Sequence, residues 1–249
     1  MHVLSLLTLA QMPWTANLPA RGVALDILRP KFDGVETSLG SAAFYISGRF
    51  RAGGALSLRF EVPFANLEAS GNSSTAVGNP YIGLEALKGR MTYDLGFRPS
   101  LTPESEFAGQ LGIYSDIMRF VAFVPHTANV SGHLTYRSQS ASGMTFEAGA
   151  GPSVWIPTDG DAVDLILDHF GSVGYRGSKV WTAVGLGGIA VLTSDDGGFD
   201  NITFYQLGAS VGLNSGSVRP ALHLILPLDD AITSDVPYVL GLGVAILTR

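Results

Sequence analysis

Met91-Thr92-Tyr93-Asp94-Leu95-Gly96-Phe97-Arg98-Pro99 is the stretch on which the reading of this chain turns. Met91, Tyr93, Leu95, Phe97 and Pro99 fall on one side of an extended backbone, and Thr92, Asp94, Gly96 and Arg98 on the other. Period-two alternation of this kind marks a strand between two environments. The pattern recurs in segments of about ten residues, the length of a tilted strand that crosses a bilayer. Alternation and turn residues place about twelve strands near 23–30, 42–51, 55–65, 78–87, 91–101, 129–138, 144–156, 162–175, 179–192, 202–213, 218–228 and 236–248.

Composition agrees with a lipid-covered wall. Of 249 residues, 46% are hydrophobic and only 14% charged, where a soluble domain averages about 25% charged. The longest apolar runs, Val180 to Leu192 and Pro237 to Leu247, are too short for a membrane-spanning helix and are broken by glycine. No linker divides the chain, so residues 23–249 read as one barrel domain. Residues 1–22 read as an N-terminal segment whose apolar run Val3 to Leu9, followed by Thr8-Leu9-Ala10, has the spacing of a truncated signal peptide. The absence of cysteine excludes disulfides, thiolate zinc sites and thiol catalysis. A net charge of −6 without a basic stripe speaks against nucleic acid as a partner.

The connections sort into two kinds. Arg51 to Gly54, Lys88 to Arg90, Ser138 to Gly143, Arg176 to Ser178 and Asn214 to Ser217 are short and rich in Gly or Asn. Lys31 to Ser41, Asn66 to Val77, Thr102 to Ala128, Thr193 to Asn201 and Asp229 to Asp235 are longer, with Pro157 to Asp161 the exception. Short and long connections alternate, and both termini lie on the short side. Bacterial outer-membrane barrels have this asymmetry, with short periplasmic turns and long extracellular loops. The fold expected is therefore all-β: a transmembrane, antiparallel up-and-down barrel of about twelve strands in the bacterial outer membrane, with a short helix in one long extracellular loop.

That helix follows Thr102-Pro103-Glu104, a cap with proline at the first helical position. Phe107, Leu111, Tyr114, Met118 and Val121 then recur at steps of three and four, which predicts a helix packed over the barrel mouth, as filler or as a lid.

A charge facing lipid at mid-bilayer costs about 2–4 kcal/mol, so the charged face of each strand must point inward. The lumen is expected to be lined by Asp26, Arg49, Arg59, Glu61, Glu85, Asp94, Arg98, His133, Arg137, Glu147, Asp164, Asp168, Arg219 and His223. Mixed signs on neighbouring strands fit an internal salt-bridge network, a charged conduit, or a network on one wall with water on the other. Trp14, Phe64, Tyr81, Trp155, Tyr175, Trp181, Tyr205 and Tyr238 near strand ends suggest interfacial girdles. The acidic loops Asp159-Gly160-Asp161, Asp195 to Asp200 and Asp229-Asp230 with Asp235 lack the spacing of a Ca²⁺ loop and read as solvated charge; no metal or cofactor is expected.

The histidines that could serve catalysis are His2, His126, His133, His169 and His223. None stands in a His-x-Ser-Asn-Gly, Gly-x-Ser-x-Gly or His-Glu-x-x-His context. His133 and His223 read as members of the lumenal network, and the chain as a non-enzyme.

Phe60-Glu61-Val62-Pro63-Phe64-Ala65, a polar loop, and then Ala76-Val77-Gly78-Asn79-Pro80-Tyr81-Ile82-Gly83-Leu84-Glu85 resemble the outer-membrane transporter family associated with the phenol-degradation meta pathway. The chain departs from that pattern at Asn79-Pro80, where Gly-Asp is expected, and in ending on Leu247-Thr248-Arg249 rather than an aromatic residue. The resemblance implies passage of small solutes, hydrophobic or aromatic ones among them, and carries no site residue. The expected function is a monomeric, passive outer-membrane channel whose partners are lipid and small solutes. The alternatives are a side-chain-filled barrel serving as scaffold or surface-loop adhesin, and a soluble barrel that binds ligands.

Overall fold

Alternation writes the architecture strand by strand. The computed structural model describes residues 12, 14–16, 21–69, 72–103, 107–160, 162–193, 203–214 and 216–248. The strands are β1 Gly22–Lys31, β2 Ala42–Gly53, β3 Leu56–Ala69, β4 Asn72–Val77, β5 Tyr81–Lys88, β6 Met91–Arg98, β7 Thr127–Gln139, β8 Met144–Pro157, β9 Asp164–Arg176, β10 Val180–Val191, β11 Thr203–Leu213, β12 Val218–Pro227 and β13 Tyr238–Leu247. Helix α1 spans Phe107–Ser115, a 3-10 helix spans Ile117–Ala122, and the single turn α2 spans Asp230–Thr233. All pairings are antiparallel and, apart from β3 with β5, join sequence neighbours; β1 closes on β13 from Gly22↔Leu247 to Lys31↔Tyr238. Leaving β4 aside, twelve strands form a closed barrel, as expected.

The wall has one apolar and one polar side. Leu58, Val62, Leu84, Leu95, Val130, Val173, Leu186, Leu222 and Leu240 are exposed on the outside, Leu95 to 63%. The alternate positions are buried and mostly small, polar or charged. An exposed apolar surface of this extent around a closed barrel is a lipid-facing belt. Glycines turn the short connections: Gly89 between β5 and β6 has φ +64°, a left-handed conformation that disfavours a side chain.

The structure corrects three expectations. First, part of the loop from Asn66 to Val77 is strand: β4 pairs with the upper half of β3, Phe64↔Val77 to Ala69↔Asn72. The polar run Asn72-Ser73-Ser74-Thr75 shows no apolar alternation because it lies beyond the lipid belt. The lower half of β3 pairs with β5, Glu61↔Tyr81 to Leu56↔Ala86. Thus β4 and β5 are one strand broken at Gly78-Asn79-Pro80, with one residue more than β3 between the two registers. That extra residue is a bulge, and Pro80, which has no N–H, suits it.

Second, Thr102 does not cap a helix. It is buried and bonded to Asn79, and α1 begins only at Phe107; Glu104 lies outside the described residues. Phe107 is 70% exposed, so the stripe starts at Leu111, and it breaks at Asp116, whose side chain caps the 3-10 helix that carries Met118 and Val121. Third, four residues expected in girdles, Trp14, Tyr81, Trp155 and Trp181, point into the barrel. Their strand parity, or for Trp14 its place ahead of β1, sends them inward. Outside, aromatic rings gather near both ends: Phe44 stacked on Phe64, with Tyr205 and Tyr238, toward the long loops; Phe50 stacked on Phe60, with Tyr136 and Phe146, toward the short turns. The segment 1–10 and the acidic run Asp195 to Asp200 lie outside the described residues.

Candidate functional site

The lumen holds an ion-pair network on one wall, a folded-in loop across the middle, and open space against the opposite wall. The first wall follows from register. Arg49↔Arg59 and Glu85↔Asp94 are directly opposed across β2–β3 and β5–β6, so each row by itself sets like charges together. The rows neutralise each other. Arg49 Nη2 donates to Glu85 Oε2 at 2.9 Å, and Arg59 Nη1 lies 3.1 Å from Asp94 Oδ2 and 3.8 Å from Glu85. Gly83 and Gly96, opposed on β5 and β6, leave the wall bare where the Tyr81 ring lies flat. The Tyr81 hydroxyl donates to Asp94, and its ring takes Arg59 at 5.8 Å and Arg98 at 5.2 Å. Arg98 in turn holds Glu61 at 2.6 Å.

The loop between β6 and β7 does not cover the mouth; it descends into the barrel. Helix α1 packs on β1 to β4, and the 3-10 helix reaches β10 and β11. Its anchor is Asn79, fully buried in the bulge. Asn79 Oδ1 accepts from the Leu101 and Thr102 N–H groups at 2.7 and 2.9 Å and from the Thr102 hydroxyl at 3.0 Å. Its amide donates to the carbonyls of Val121, Val124 and Thr127 at 3.0, 2.8 and 3.3 Å. Its backbone N–H bonds Ala122 O at 2.6 Å, and its carbonyl accepts from Arg98 at 2.8 Å. Asn79 is therefore the clasp of the inserted loop.

At the loop's tip Arg119 meets Asp26 at 3.2 Å, Glu61 at 3.5 Å and Asp116 at 3.0 Å, and lies 4.1 Å over the Tyr45 ring. Asp116 also accepts from Gln206 at 2.6 Å and Trp14 at 3.2 Å, and Gln206 accepts from the Ile117 N–H at 2.9 Å. These contacts span the lumen from β1 and β3 to β11. Burial pushes the Asp116 carboxyl up from its ordinary value, against the pull of Arg119 and its hydrogen-bond donors. Burial pulls Arg119 down, but Glu61, Asp26 and Asp116 outweigh it and hold the guanidinium above its ordinary value. Trp14 fits because Gly187 and Gly208 leave room for its indole.

A cavity of about 170 Å³ lies between the ion-pair wall, the 3-10 helix and the β6–β9 wall. Thr92, Asp94, Ser131, His133, Thr135, Ser153 and Asp168 give it a polar side; Met118, Phe120, Trp155, Phe170 and Ile189 give it an apolar one. His133 Nε2 lies 3.3 Å from Asp168 Oδ2 across Gly151, where a side chain would strike the β7 backbone. A second, smaller cavity toward the short turns is lined by Arg137, Glu147, Arg176 and Trp181. Met12 and Thr15 line both cavities and so lie between them.

Of the residues expected in the lumen, Asp26, Arg49, Arg59, Glu61, Glu85, Asp94, Arg98, His133 and Asp168 line the larger cavity. Arg137 and Glu147 line the smaller one, 3.6 Å apart. Arg219 and His223 are buried, and Asp164 sits at the loop end bonded to Thr193. Of the residues expected in the lid, Leu111, Tyr114 and Met118 pack in the core, whereas Phe107 does not. Sequence reasoning missed Arg119, Asp116, Asn79 and Gln206, and read Tyr81 and Trp14 as girdle. One signal for Arg119 existed: the acids of the expected lumen outnumber its arginines, so a cation from elsewhere was owed.

Ser210, His223 and Asp26 align in the lumen. Ser210 Oγ is 2.7 Å from His223 Nδ1, and His223 Nε2 is 3.8 Å from Asp26 Oδ1. That Asp26 oxygen already accepts from Ala16 N–H at 2.6 Å, and both Ser210 and His223 are buried.

No protein-family model and no curated protein matches the chain. Solved structures do. An outer-membrane channel from Pseudomonas putida F1 superposes with a TM-score of 0.60 at 10% identity, covering 96% of this chain and 99% of that one. LpxR from Salmonella typhimurium gives 0.56 at 8% identity, covering 91% and 100%, and the NanC porin 0.54 at 9%, covering 91% and 100%. At such identities the likeness is one of fold: this is a twelve-strand barrel of the kind formed by outer-membrane channels and porins. The comparisons add nothing to the phenol-degradation link.

Proposed function

We propose that the chain is a monomeric, passive outer-membrane channel for small solutes, without enzymatic activity. The observation that carries this reading is the amphipathic cavity between the inserted loop and the β6–β9 wall, continued toward the turns by a second cavity. The densest ion pairing gathers on β1–β6 and the loop, with the sparser pairs His133–Asp168 and Arg137–Glu147 on β7–β9. With Phe120, Trp155, Phe170 and Ile189 facing His133, Ser131 and Thr135, the passage suits molecules with one apolar or aromatic part and one polar part. Short turns then face the periplasm and long loops the exterior.

The folded barrel in a planar bilayer is expected to carry small, discrete currents, and vesicles containing it to admit small solutes. Absence of both current and flux from a demonstrably folded barrel would refute the channel reading. It would favour the barrel filled by its own side chains, for which the contacts of Arg119 with Asp26 and Glu61 and of Asp116 with Gln206 across the lumen speak.

A further inference from the structure

The carboxylates of the larger cavity differ in what holds them. Asp26, Glu61, Glu85 and Asp94 each meet an arginine within 3.2 Å. Asp168 does not: among the described residues its polar partner is His133, at 3.3 Å, which carries charge only when protonated. Register explains the difference. Asp94 opposes His133 across β6–β7, and Gly151 opposes Asp168 across β8–β9. Asp168 thus stands three strands from Asp94, about 14 Å along the wall at about 4.8 Å per strand. The arginines that line the cavity are each held against a carboxylate of their own; Arg59, the most exposed of them at 30%, lies between Asp94 and Glu85. The segments outside the described residues contain no Lys or Arg other than Arg249.

The setting of Asp168 is apolar. Ile166 and Phe170 are its neighbours on the inward face of β9, and Ile189 opposes it on β10. Ile117 and Met118 of the 3-10 helix join the same Ile166–Ile189 cluster. The Asp168 side chain is 15% exposed, and it lines the cavity. A carboxylate drawn out of water among apolar groups gains from an opposite charge placed against it. An ammonium group has three N–H donors and no acceptor, so Asp168 and the Ser131 hydroxyl, which line the same cavity, can both receive it. Phe170 adds an aromatic ring beside the carboxylate, and a ring face attracts a cation. Phe120 and Trp155, stacked at 5.6 Å, wall the end nearer the long loops and suit the apolar part of a solute. Size agrees: a cavity of about 150 Å³ takes benzene, so one of about 170 Å³ takes a ring with a short substituent.

We propose that the larger cavity is a binding site for small aromatic amines in their protonated form, with Asp168 as the counter-ion; that such amines are also what the barrel passes rests on the channel reading, the binding does not. The test uses the full chain folded in detergent, titrated calorimetrically with benzylamine, with its neutral counterpart benzyl alcohol and with the anion benzoate. Benzylamine is expected to bind more tightly than either. One unit charge about 4 Å away is worth about a fivefold change in affinity in water and more where water is excluded, so Asp168→Asn is expected to weaken benzylamine at least about fivefold and to leave benzyl alcohol unchanged. His133→Lys sets a permanent cation beside Asp168 and is expected to abolish the preference for benzylamine. The comparison of the three probes on the unsubstituted barrel decides the matter if neither variant folds. Absence of benzylamine binding, benzyl alcohol or benzoate binding as tightly as benzylamine, or an Asp168→Asn barrel that holds benzylamine as well as the parent would overturn the proposal. A barrel that binds benzylamine in the expected order but carries no current in a bilayer refutes the channel and leaves the site in place. One that conducts but does not prefer benzylamine refutes the site and leaves the channel.

Discussion

Replacing Asn79 by alanine is expected to release the inserted loop while leaving the barrel wall intact. The Asn79 side chain makes six hydrogen bonds, three accepted and three donated, all to segments 101–102 and 121–127. Two amide hydrogens and two lone pairs are shared among them, so about four full hydrogen bonds are lost. At about 1 kcal/mol each this amounts to about 4 kcal/mol. The β3–β5 and β5–β6 registers use none of these groups, so the loss falls on the docking of the loop. A change of 4 kcal/mol multiplies the undocked population by about a thousand. Arg119 reports it: it is buried in the docked loop and is the sole Lys or Arg between Arg98 and Arg137. Trypsin should therefore cut the variant after Arg119, splitting the chain near its middle, at a rate far above that of the unsubstituted barrel. Bilayer conductance should rise in parallel. If the variant remains as resistant to trypsin as the parent and conducts no more, Asn79 is not the clasp and the reasoning fails.

Arg119→Leu leaves Asp26, Glu61 and Asp116 buried without their shared cation and is expected to cost about 3–5 kcal/mol in urea unfolding; adding Asp26→Asn and Glu61→Gln should recover most of it. Gly96→Leu drives a side chain into the Tyr81 ring and is expected to cost about 1–3 kcal/mol, a penalty that Tyr81→Ala in the same chain should reduce in a double-mutant cycle. Leu95→Arg places a charge on the lipid face and is expected to lower stability in vesicles by about 2–4 kcal/mol, with no comparable loss in a detergent that solvates the arginine.

The wall was legible because lipid and lumen impose opposite demands on adjacent residues. From Met91 to Arg98 every side chain declares its face, and the same holds for β10 and β13 even where glycine intervenes. β4 was not legible, since Asn72 to Thr75 stand outside the lipid and carry no contrast between faces. The direction taken by the loop was equally hidden. Leu111, Tyr114 and Met118 pack on apolar side chains in either a lid or an insertion, and the choice depends on Asp26, Glu61 and Gln206, each on a distant strand. Asn79 carries no signal of its role in the sequence, because an amide has no periodicity and the role emerges only from the segments that surround it. Tyr81 and Trp14 misled because aromatic residues near strand ends face lipid or lumen according to parity and to glycines on neighbouring strands.

The contacts of the inserted loop also constrain the order of assembly. Asp26 lies on β1, Glu61 on β3 and Gln206 on β11, so the partners of Arg119 and Asp116 stand on both sides of the β1–β13 seam. They converge only when that seam has formed. Until then Asp116 lacks its Gln206 partner and the 3-10 helix lacks its β10 and β11 wall, so the loop gains less by entering. Closing the cylinder and stoppering it are thus two faces of a single event, and a bacterium inserting this barrel would not be exposed to the leak of an unobstructed twelve-strand pore.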